Sequence, residues 1–513
     1  MSDTQSLYLE TLGCQMNALD SELAFGSLTG EGYRLTDDMT TASLVILNTC
    51  SVRQHAENKV YSRLGQLKHT RRQHPDRIVA VIGCMAERDG DGLLDKAPLV
   101  DILCGPSELH RLPALVRSVR DSRSRAIALS GRLRERSTDT VPTAGHDDLE
   151  ALDSGRSFAM ETHVSMPRSL GRHQAYVRIT RGCNKYCTFC VVPYTRGPEV
   201  HRPPDRIVEE VGRLAGNGVI EVTLLGQTIN HYCHEGPDGR TDFARLLRRV
   251  HDEVPELPRL RFVTSFPRDF TDEALVAMAE SPRICRYLHI PAQSGSNTQL
   301  GRMNRGYTVE QYTALLDRAR SFMPDISIAG DMIVGFSGET EDDFRQSCEL
   351  LRRARYKNCF IFKYSPRPGT AADDRLPDDV PDEVKRRRNN DLLAIQAEIN
   401  QANHRTLLGR TLEVLVEGPS KSAIKAQESE QSRGEEIDTS RNGDLRNQLV
   451  GRTRGDQIVV FEGSRELVGA LVQVEVTAMT PYTLHGRLGE TVKQAMTPAE
   501  SDVALPVLGG SLQ

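Results

Sequence analysis

The chain has 513 residues, 26% charged and 38% apolar, with a formal net charge of −5; this is the balance of a soluble globular protein of about three domains, and it excludes a disordered or fibrous chain. No apolar run approaches the roughly 20 residues that span a bilayer, and the opening MSDTQSLYLETLGC lacks a basic stretch followed by an apolar one, so neither a membrane span nor an export signal is expected. Eleven cysteines, an odd number, suit a reducing compartment, here the cytoplasm, and the acidic balance excludes a general phosphate binder, leaving any nucleic-acid contact to local patches.

Residues 1–120 alternate short apolar runs with helical stretches, the pattern of a parallel α/β sheet domain. Strands are expected at Leu7–Leu12, Leu44–Asn48, Ile78–Gly83 and Val100–Leu103, with helices such as Ser21–Leu28 and Glu57–Leu67 between them. Three of these strands close on a cysteine: Cys14 in GCQMN, Cys50 in NTCSVR and Cys84 in GCMAER. Strand ends of a parallel sheet point the same way and ligands bind just beyond them, so these distant residues would converge. Taken singly, each also reads as a small buried apolar residue. Their shared position is what suggests a ligand site.

From about Val119 the composition turns to Arg, Ser, Asp and Gly with little periodicity, and residues 121–171 read as a mobile linker. A second alternation fills residues 172–400, with strands at Ala175–Ile179, Val219–Leu225, Leu260–Val263, Tyr287–Ile290, Ile326–Val334 and Asn358–Lys363. Six βα units in a row fit an open, partial barrel. Residues 401–490 are rich in Val, Leu and Ile with Gly-containing turns, a small all-β module interrupted at about 419–446 by a polar stretch that reads as a disordered loop; residues 491–513 form a tail.

The sharpest signal is Cys183, Cys187 and Cys190 in RGCNKYCTFC, directly after the first barrel strand. Three thiolates on one short loop can wrap one cluster. A [4Fe–4S] cube commonly takes four protein thiolates, so a set of three leaves one iron open to an outside ligand. Zinc and a chance set of core thiols are the alternatives, although a structural zinc site closes with four ligands and this loop offers three.

A CxxxCxxC loop after the first strand of a partial (β/α)6 barrel resembles the radical S-adenosylmethionine (SAM) superfamily, and TRGCNKYCTFCVVPYTRG resembles its methylthiotransferase branch. LLGQTIN, TSFP, HIPAQSGS, MNRGYT, IVGFSGET and FKYSPRPGT are similar to that branch too. The resemblance implies that SAM binds the open iron of the central cluster, with Gly226 and Gln227 near its amino acid moiety and Gln293 and Ser294 near its nucleoside; each of these also reads as a turn or cap residue. It implies that Cys14, Cys50 and Cys84 hold a second [4Fe–4S] cluster, where sulfide is methylated by one SAM before radical-assisted transfer, and that the amino-terminal sheet docks over the barrel mouth. A fourth ligand at Cys104 would block the open iron, so that residue, with Cys233, Cys285, Cys348 and Cys359, is read as a core or incidental thiol. Four positions depart from the family pattern: Arg181, Phe266, Ser337 and Asn304 stand where acidic, His, Pro and Lys residues are usual.

The carboxy-terminal module resembles the TRAM domain, a small RNA-binding β-barrel, with Arg410, Arg452 and Arg454 as the expected phosphate contacts; the run Lys385-Arg386-Arg387-Arg388 reads as a helix face. Asn184-Lys185-Tyr186 and Val191–Gly197 resemble the methylthiotransferases that act on N6-isopentenyladenosine next to the anticodon. The implied partners are tRNA bearing that nucleoside and an electron donor such as flavodoxin or ferredoxin, with no membrane and a monomeric enzyme. Threonylcarbamoyladenosine in tRNA, or an aspartate of a ribosomal protein, are the other substrates of such enzymes. A non-catalytic iron–sulfur protein that binds RNA or senses redox state is the reading of another class.

Overall fold

The computed structural model describes residues 5–51, 54–130, 172–237, 239–433 and 447–493. Its first domain is a six-stranded, wholly parallel sheet: β1 (Gln5–Leu12), β2 (Tyr33–Leu35), β3 (Leu44–Thr49), β4 (Ile78–Gly83), β5 (Ile102–Cys104) and β6 (Ala126–Ala128), in the order β2-β1-β3-β4-β5-β6. Both faces are covered. Leu7, Leu9, Leu44 and Ile46 belong to one core and Tyr8, Leu12, Val45 and Leu47 to the other, which is why these strands read as near-continuous apolar runs. The chain leaves β1 toward β2 on one side and returns to β3 on the other, so the end of β1 is the sheet's topological switch point.

Two expectations shift here. The three-residue strands β2 and β6 are too short to show a periodicity, and the sheet therefore runs on past residue 120, through helix Leu112–Ser122 and β6, into the stretch expected as linker; residues 131–171 lie outside the described residues. Helix α1 (Gln15–Thr29) begins six residues before the expected Ser21, because Cys14 forms its N-cap and donates its backbone N–H to Asn17 Oδ1 at 3.4 Å. Buried residues occur on every side of α1, polar Asn17, Asp20, Ser21 and Glu22 included, as in a helix held between two bodies.

The second body is the barrel. Its six strands, Gln174–Arg178, Glu221–Leu225, Arg259–Phe262, Tyr287–His289, Ser327–Val334 and Asn358–Lys363, form two parallel three-stranded sheets. Backbone bonds from Leu260 N–H to Arg283 O and from Cys285 N–H to Leu260 O, both 2.8 Å, join them into one open curve. Side chains alternate: Val177, Leu224, Phe262, Leu288 and Ile328 pack outward against the surrounding helices, whereas Tyr176, Leu225, Val263, Tyr287 and Ala329 face inward and pack on Met16, Leu19 and Leu23 of α1. The amino-terminal domain thus docks by inserting one helix against the barrel's inner surface.

The third body is a closed five-stranded barrel, with neighbours in the order Thr411–Pro419, Gln448–Thr453, Ile458–Glu462, Leu484–Lys493 and Leu471–Met479. The polar stretch after Pro419 is not a loop throughout: Lys421–Arg433 is a helix, capped by Ser420 Oγ accepting the Ala423 N–H at 3.1 Å and anchored by buried Ala423. Lys, Ala, Gln and Glu form helices readily, and their polarity hid the element. In helix Asp382–Arg405 the basic run is solvated only in part: Arg386 and Arg387 are exposed, whereas Lys385 and Arg388 are buried, paired with Asp378 and with Glu339 and Glu341.

This module closes the floor of the larger barrel. Arg259, fully buried, reaches Glu413 at 3.0 Å; Arg261 reaches Glu221 at 3.1 Å; Lys357 and Arg452 grip Asp456 at 2.6 and 2.9 Å. Arg452 also meets Glu417 at 3.2 Å, and Arg454 donates to the carbonyls of Pro282 and Ile284. Of the three arginines expected at RNA phosphates, Arg452 is held by acids of its own module and Arg454 by carbonyls of the larger barrel, and only Arg410 stands exposed. Burial alone would raise the Asp456 carboxyl, but Lys357, Arg452 and Arg261 outweigh it and hold it far below the ordinary aspartate value of 3.8. Its charge accordingly stabilises the fold above that pH, and the contribution falls away only as pH drops below it. Asp456→Asn, which suits the left-handed φ of +67° at this position, should lower unfolding free energy at pH 7 by about 3 kcal/mol, with the gap to wild type narrowing below pH 3.8; denaturant unfolding across pH measures both.

Candidate active site

Cys183, Cys187 and Cys190 lie on the loop that leaves the first barrel strand, at the carboxyl end where such barrels bind ligands. The loop is shaped by Gly182, with φ +74°, where a Cβ would collide with the carbonyl oxygens of Gly197 and Pro198, and by Tyr186, with φ +48° and its ring half exposed. Backbone bonds fix it: Cys183 N–H to Gly197 O at 3.1 Å and Cys190 N–H to Cys187 O at 2.9 Å. Asn304, itself left-handed at φ +55°, donates its amide to Tyr186 O at 3.0 Å, so one departure from the family pattern serves the loop directly. Burial pushes the Cys183 and Cys190 thiols up, and mutual repulsion with Cys187 adds to it. Such crowding in a dry pocket costs free energy unless a cation binds the thiolates.

Two groups touch the sulfurs. Thr228, in the LLGQTIN loop, places Oγ1 3.3 Å from Cys183 Sγ. Arg305, in MNRGYT, donates to Cys187 Sγ at 3.2 Å, to the Tyr307 hydroxyl at 2.9 Å and to Pro291 O at 3.1 Å. Its guanidinium lies over the ring of Phe266 at 4.6 Å, so the second departure from the pattern supplies a stacking face for a buried cation.

The amino-terminal cysteines come together as their strand register dictates. Leu12 pairs with Thr49 and Thr49 with Gly83, so Cys50 and Cys84 leave adjacent strand ends side by side, with Cys14 at the start of α1. A hydrogen bond with Cys50, assisted by Arg196 and by the amides of Asn17 and Met16, holds the Cys14 thiol below its ordinary value, whereas burial raises Cys84. Arg196 follows the central cysteines by one short helix, Val192–Arg196, and pairs with Asp20 of α1 at 2.6 Å, both side chains buried. Arg178, from the first barrel strand, stands 3.7 Å from the other Asp20 oxygen. Arg367 of FKYSPRPGT acts on Cys50 and meets Glu57 at 3.4 Å. The two triads thus share one region, bridged by α1 and by barrel arginines.

Gly226 packs so closely on Thr180 that a Cβ would displace the hydroxyl, and half-buried Gln227 follows it, next to Thr228. Gln293 holds φ +73° and pairs its backbone with Asp331 O and Ile333 N–H at 2.8 and 2.9 Å. Ser294 is buried, accepts the Ser296 N–H at 3.2 Å and approaches Ser347, the contacts of a turn residue. The hydroxyls of Thr180 and Ser265, both buried at the mouth, have no hydrogen-bond partner among the described residues, as expected where a polar ligand completes the site. Cys104 is fully buried in the first core beside Glu87 and Glu108, and burial raises its thiol. Asp20, Arg178, Arg196, Arg305 and Arg367 escaped the sequence reading; YTRG, MNRGYT and SPRPG stood out as motifs but named no role for their arginines.

Three family models match the chain in the same order as its three bodies: Uncharacterized protein family UPF0004 over residues 6–105, the Radical SAM superfamily over 177–351 and the TRAM domain over 439–488. Curated tRNA-2-methylthio-N(6)-dimethylallyladenosine synthases are similar over nearly their whole length. That of Rhodopirellula baltica is 44% identical over 95% of this chain and 96% of its own, and that of Escherichia coli 39% identical over 95% and 93%. The chain belongs to the tRNA-2-methylthio-N(6)-dimethylallyladenosine synthase family. It is a radical SAM enzyme and a tRNA methylthiotransferase, and the family uses SAM and [4Fe–4S] clusters. Among solved structures, the radical SAM methyltransferase TsrM of Kitasatospora setae aligns with TM-score 0.48 at 15% identity, over 72% of this chain and 77% of that one.

The Arg305 contact makes a measurable statement. A charge-assisted N–H···S bond favours the more negative, reduced state of a cluster. For a cluster held at Cys187, Arg305→Met should therefore lower the midpoint potential by about 60 mV, the one-electron equivalent of about 1.4 kcal/mol, at unchanged iron content, with Arg305→Lys recovering part of the shift in a redox titration.

Proposed function

We propose that this enzyme adds a methylthio group to C2 of N6-isopentenyladenosine beside the anticodon of tRNA, with Cys183, Cys187 and Cys190 holding the SAM-binding [4Fe–4S] cluster and Cys14, Cys50 and Cys84 the auxiliary one. What carries the reading is α1: its first turn bears Cys14, while Met16, Leu19 and Leu23 seat it against the barrel's inner face. This arrangement brings the auxiliary triad to the mouth where the central triad lies. The clusters and two SAM molecules supply, when bound, a 5′-deoxyadenosyl radical source at one site and methylated sulfide at the other.

The chain's own residues bind, orient and neutralise. Each triad adds negative charge to a dry site, and each has cations beside it: Arg305 at Cys187, Arg196 at Cys14 and Cys84, Arg367 at Cys50. Gly226 and Gln227, beside the orphaned Thr180 hydroxyl, would receive the SAM amino acid moiety, and Gln293 and Ser294 its nucleoside. The buried hydrogen bonds of Ser294 favour a positioning role over direct contact. Arg410, exposed on the TRAM module, is the surviving candidate for a tRNA phosphate. No described helix is long and apolar enough to cross a membrane. In this proposal the enzyme is cytoplasmic and monomeric and takes electrons from a low-potential donor such as flavodoxin or ferredoxin.

Replacing Cys183, Cys187 and Cys190 together by alanine should leave about half the iron and abolish reductive SAM cleavage. Nucleoside mass spectrometry of tRNA from a deletion strain should show the prenylated precursor in place of its 2-methylthio derivative, restored by wild type and not by the triple variant. Equal sulfur incorporation into tRNA lacking the prenyl group would overturn the substrate assignment.

A further inference from the structure

Beside the cysteine triads, a separate set of metal-binding side chains converges on the barrel rim. Glu199 immediately precedes the short strand Val200–His201, which ends on His201. His231 ends the turn Ile229–His231 that follows the second barrel strand. One donor atom from each of the three lies within 4.8 Å of the other two. The Glu199 side chain is 1% exposed: Oε2 meets His231 Nδ1 at 2.5 Å, while Oε1 is buried with no hydrogen-bond partner among the described residues. An anionic oxygen left bare in the interior is strongly disfavoured unless a cation answers it.

We propose that Glu199, His201 and His231 bind one divalent cation of the zinc type, through one carboxylate oxygen and two imidazole nitrogens, with water at the fourth position. The donor set is that of zinc sites with three protein ligands, and imidazole suits zinc better than calcium or magnesium. Donors at 2.0–2.1 Å in a tetrahedron lie about 3.3 Å apart. The His231 ring, 43% exposed, has room to turn by the necessary amount, and the cation replaces the proton it shares with Glu199.

The position gives the site a task. The Glu199 N–H donates to Asn184 Oδ1 at 3.1 Å, inside the CxxxCxxC loop, and Thr228, three residues before His231, touches Cys183 Sγ at 3.3 Å. A cation joining Glu199 and His201 to His231 ties together the two arms that grip Cys183. It is a brace for the loop, independent of the chemistry performed there.

The full chain, purified anaerobically with its clusters, dialysed against micromolar zinc and then against zinc-free buffer, should retain one zinc beyond its iron. Zinc K-edge absorption, which iron does not obscure, should show nitrogen and oxygen neighbours at about 2.0–2.1 Å and no sulfur near 2.3 Å. His201→Ala, His231→Ala and the isosteric Glu199→Gln should each weaken zinc binding at least 100-fold while iron content and circular dichroism stay as in wild type. Loss of all zinc from wild-type protein on dialysis, sulfur scattering from cysteine-bound zinc, or zinc retained by the variants would each overturn the proposal. The cysteine triads are reported separately, by iron content and SAM cleavage.

Discussion

A single buried carboxylate, Asp20, faces the guanidinium groups of Arg196 and Arg178 across the junction of two domains, and the position of the amino-terminal triad against the barrel follows from it. Ion pairs taken wholly out of water add little net stability, because desolvation offsets most of the attraction, but removing one partner leaves a bare charge that is strongly destabilising. The arrangement therefore acts as a register device. α1 can slide or rotate against the barrel only by stranding Asp20, so Cys14 at its first turn stays where the short helix after Cys190 has put Arg196. Apolar packing of Met16, Leu19 and Leu23 supplies the adhesion, and the carboxylate chooses the position.

Charge follows the same logic around the sulfurs. Buried thiols resist ionisation, and clustered thiols resist it more, which the raised values of Cys84, Cys183 and Cys190 express. Arginines that remain charged at any physiological pH lie beside each triad, and all of them come from the barrel. Cys14 is lowered, where Cys50, Arg196 and a helix N-terminus act together. The site is electrostatically prepared by residues far apart in sequence.

Much of this was legible in the chain. The six barrel strands stood within two residues of their observed starts because buried parallel strands are continuous apolar runs, and a cysteine at the end of three such runs is a pattern that topology alone brings together. What escaped was whatever depends on a partner that only the folded chain supplies. Asp20 looks like any polar residue of a surface helix; Arg452 and Arg454 look like phosphate ligands until Asp456, Glu417 and the carbonyls of Pro282 and Ile284 are seen to occupy them. Short strands such as Tyr33–Leu35 and the polar helix Lys421–Arg433 failed for a simpler reason, too few residues or too little apolar contrast to show a period.

The floor of the barrel has a consequence for how the molecule is made. Arg259, Arg261 and Lys357 emerge from the ribosome well before Glu413 and Asp456, and α1 emerges long before the arginines that hold it. Neither end of the chain is finished without the middle, nor the middle without both ends. The amino-terminal sheet can dock once Arg178 and Arg196 have been made, but the barrel floor stays open, with Arg259 and Lys357 unanswered, until Glu413 and Asp456 follow.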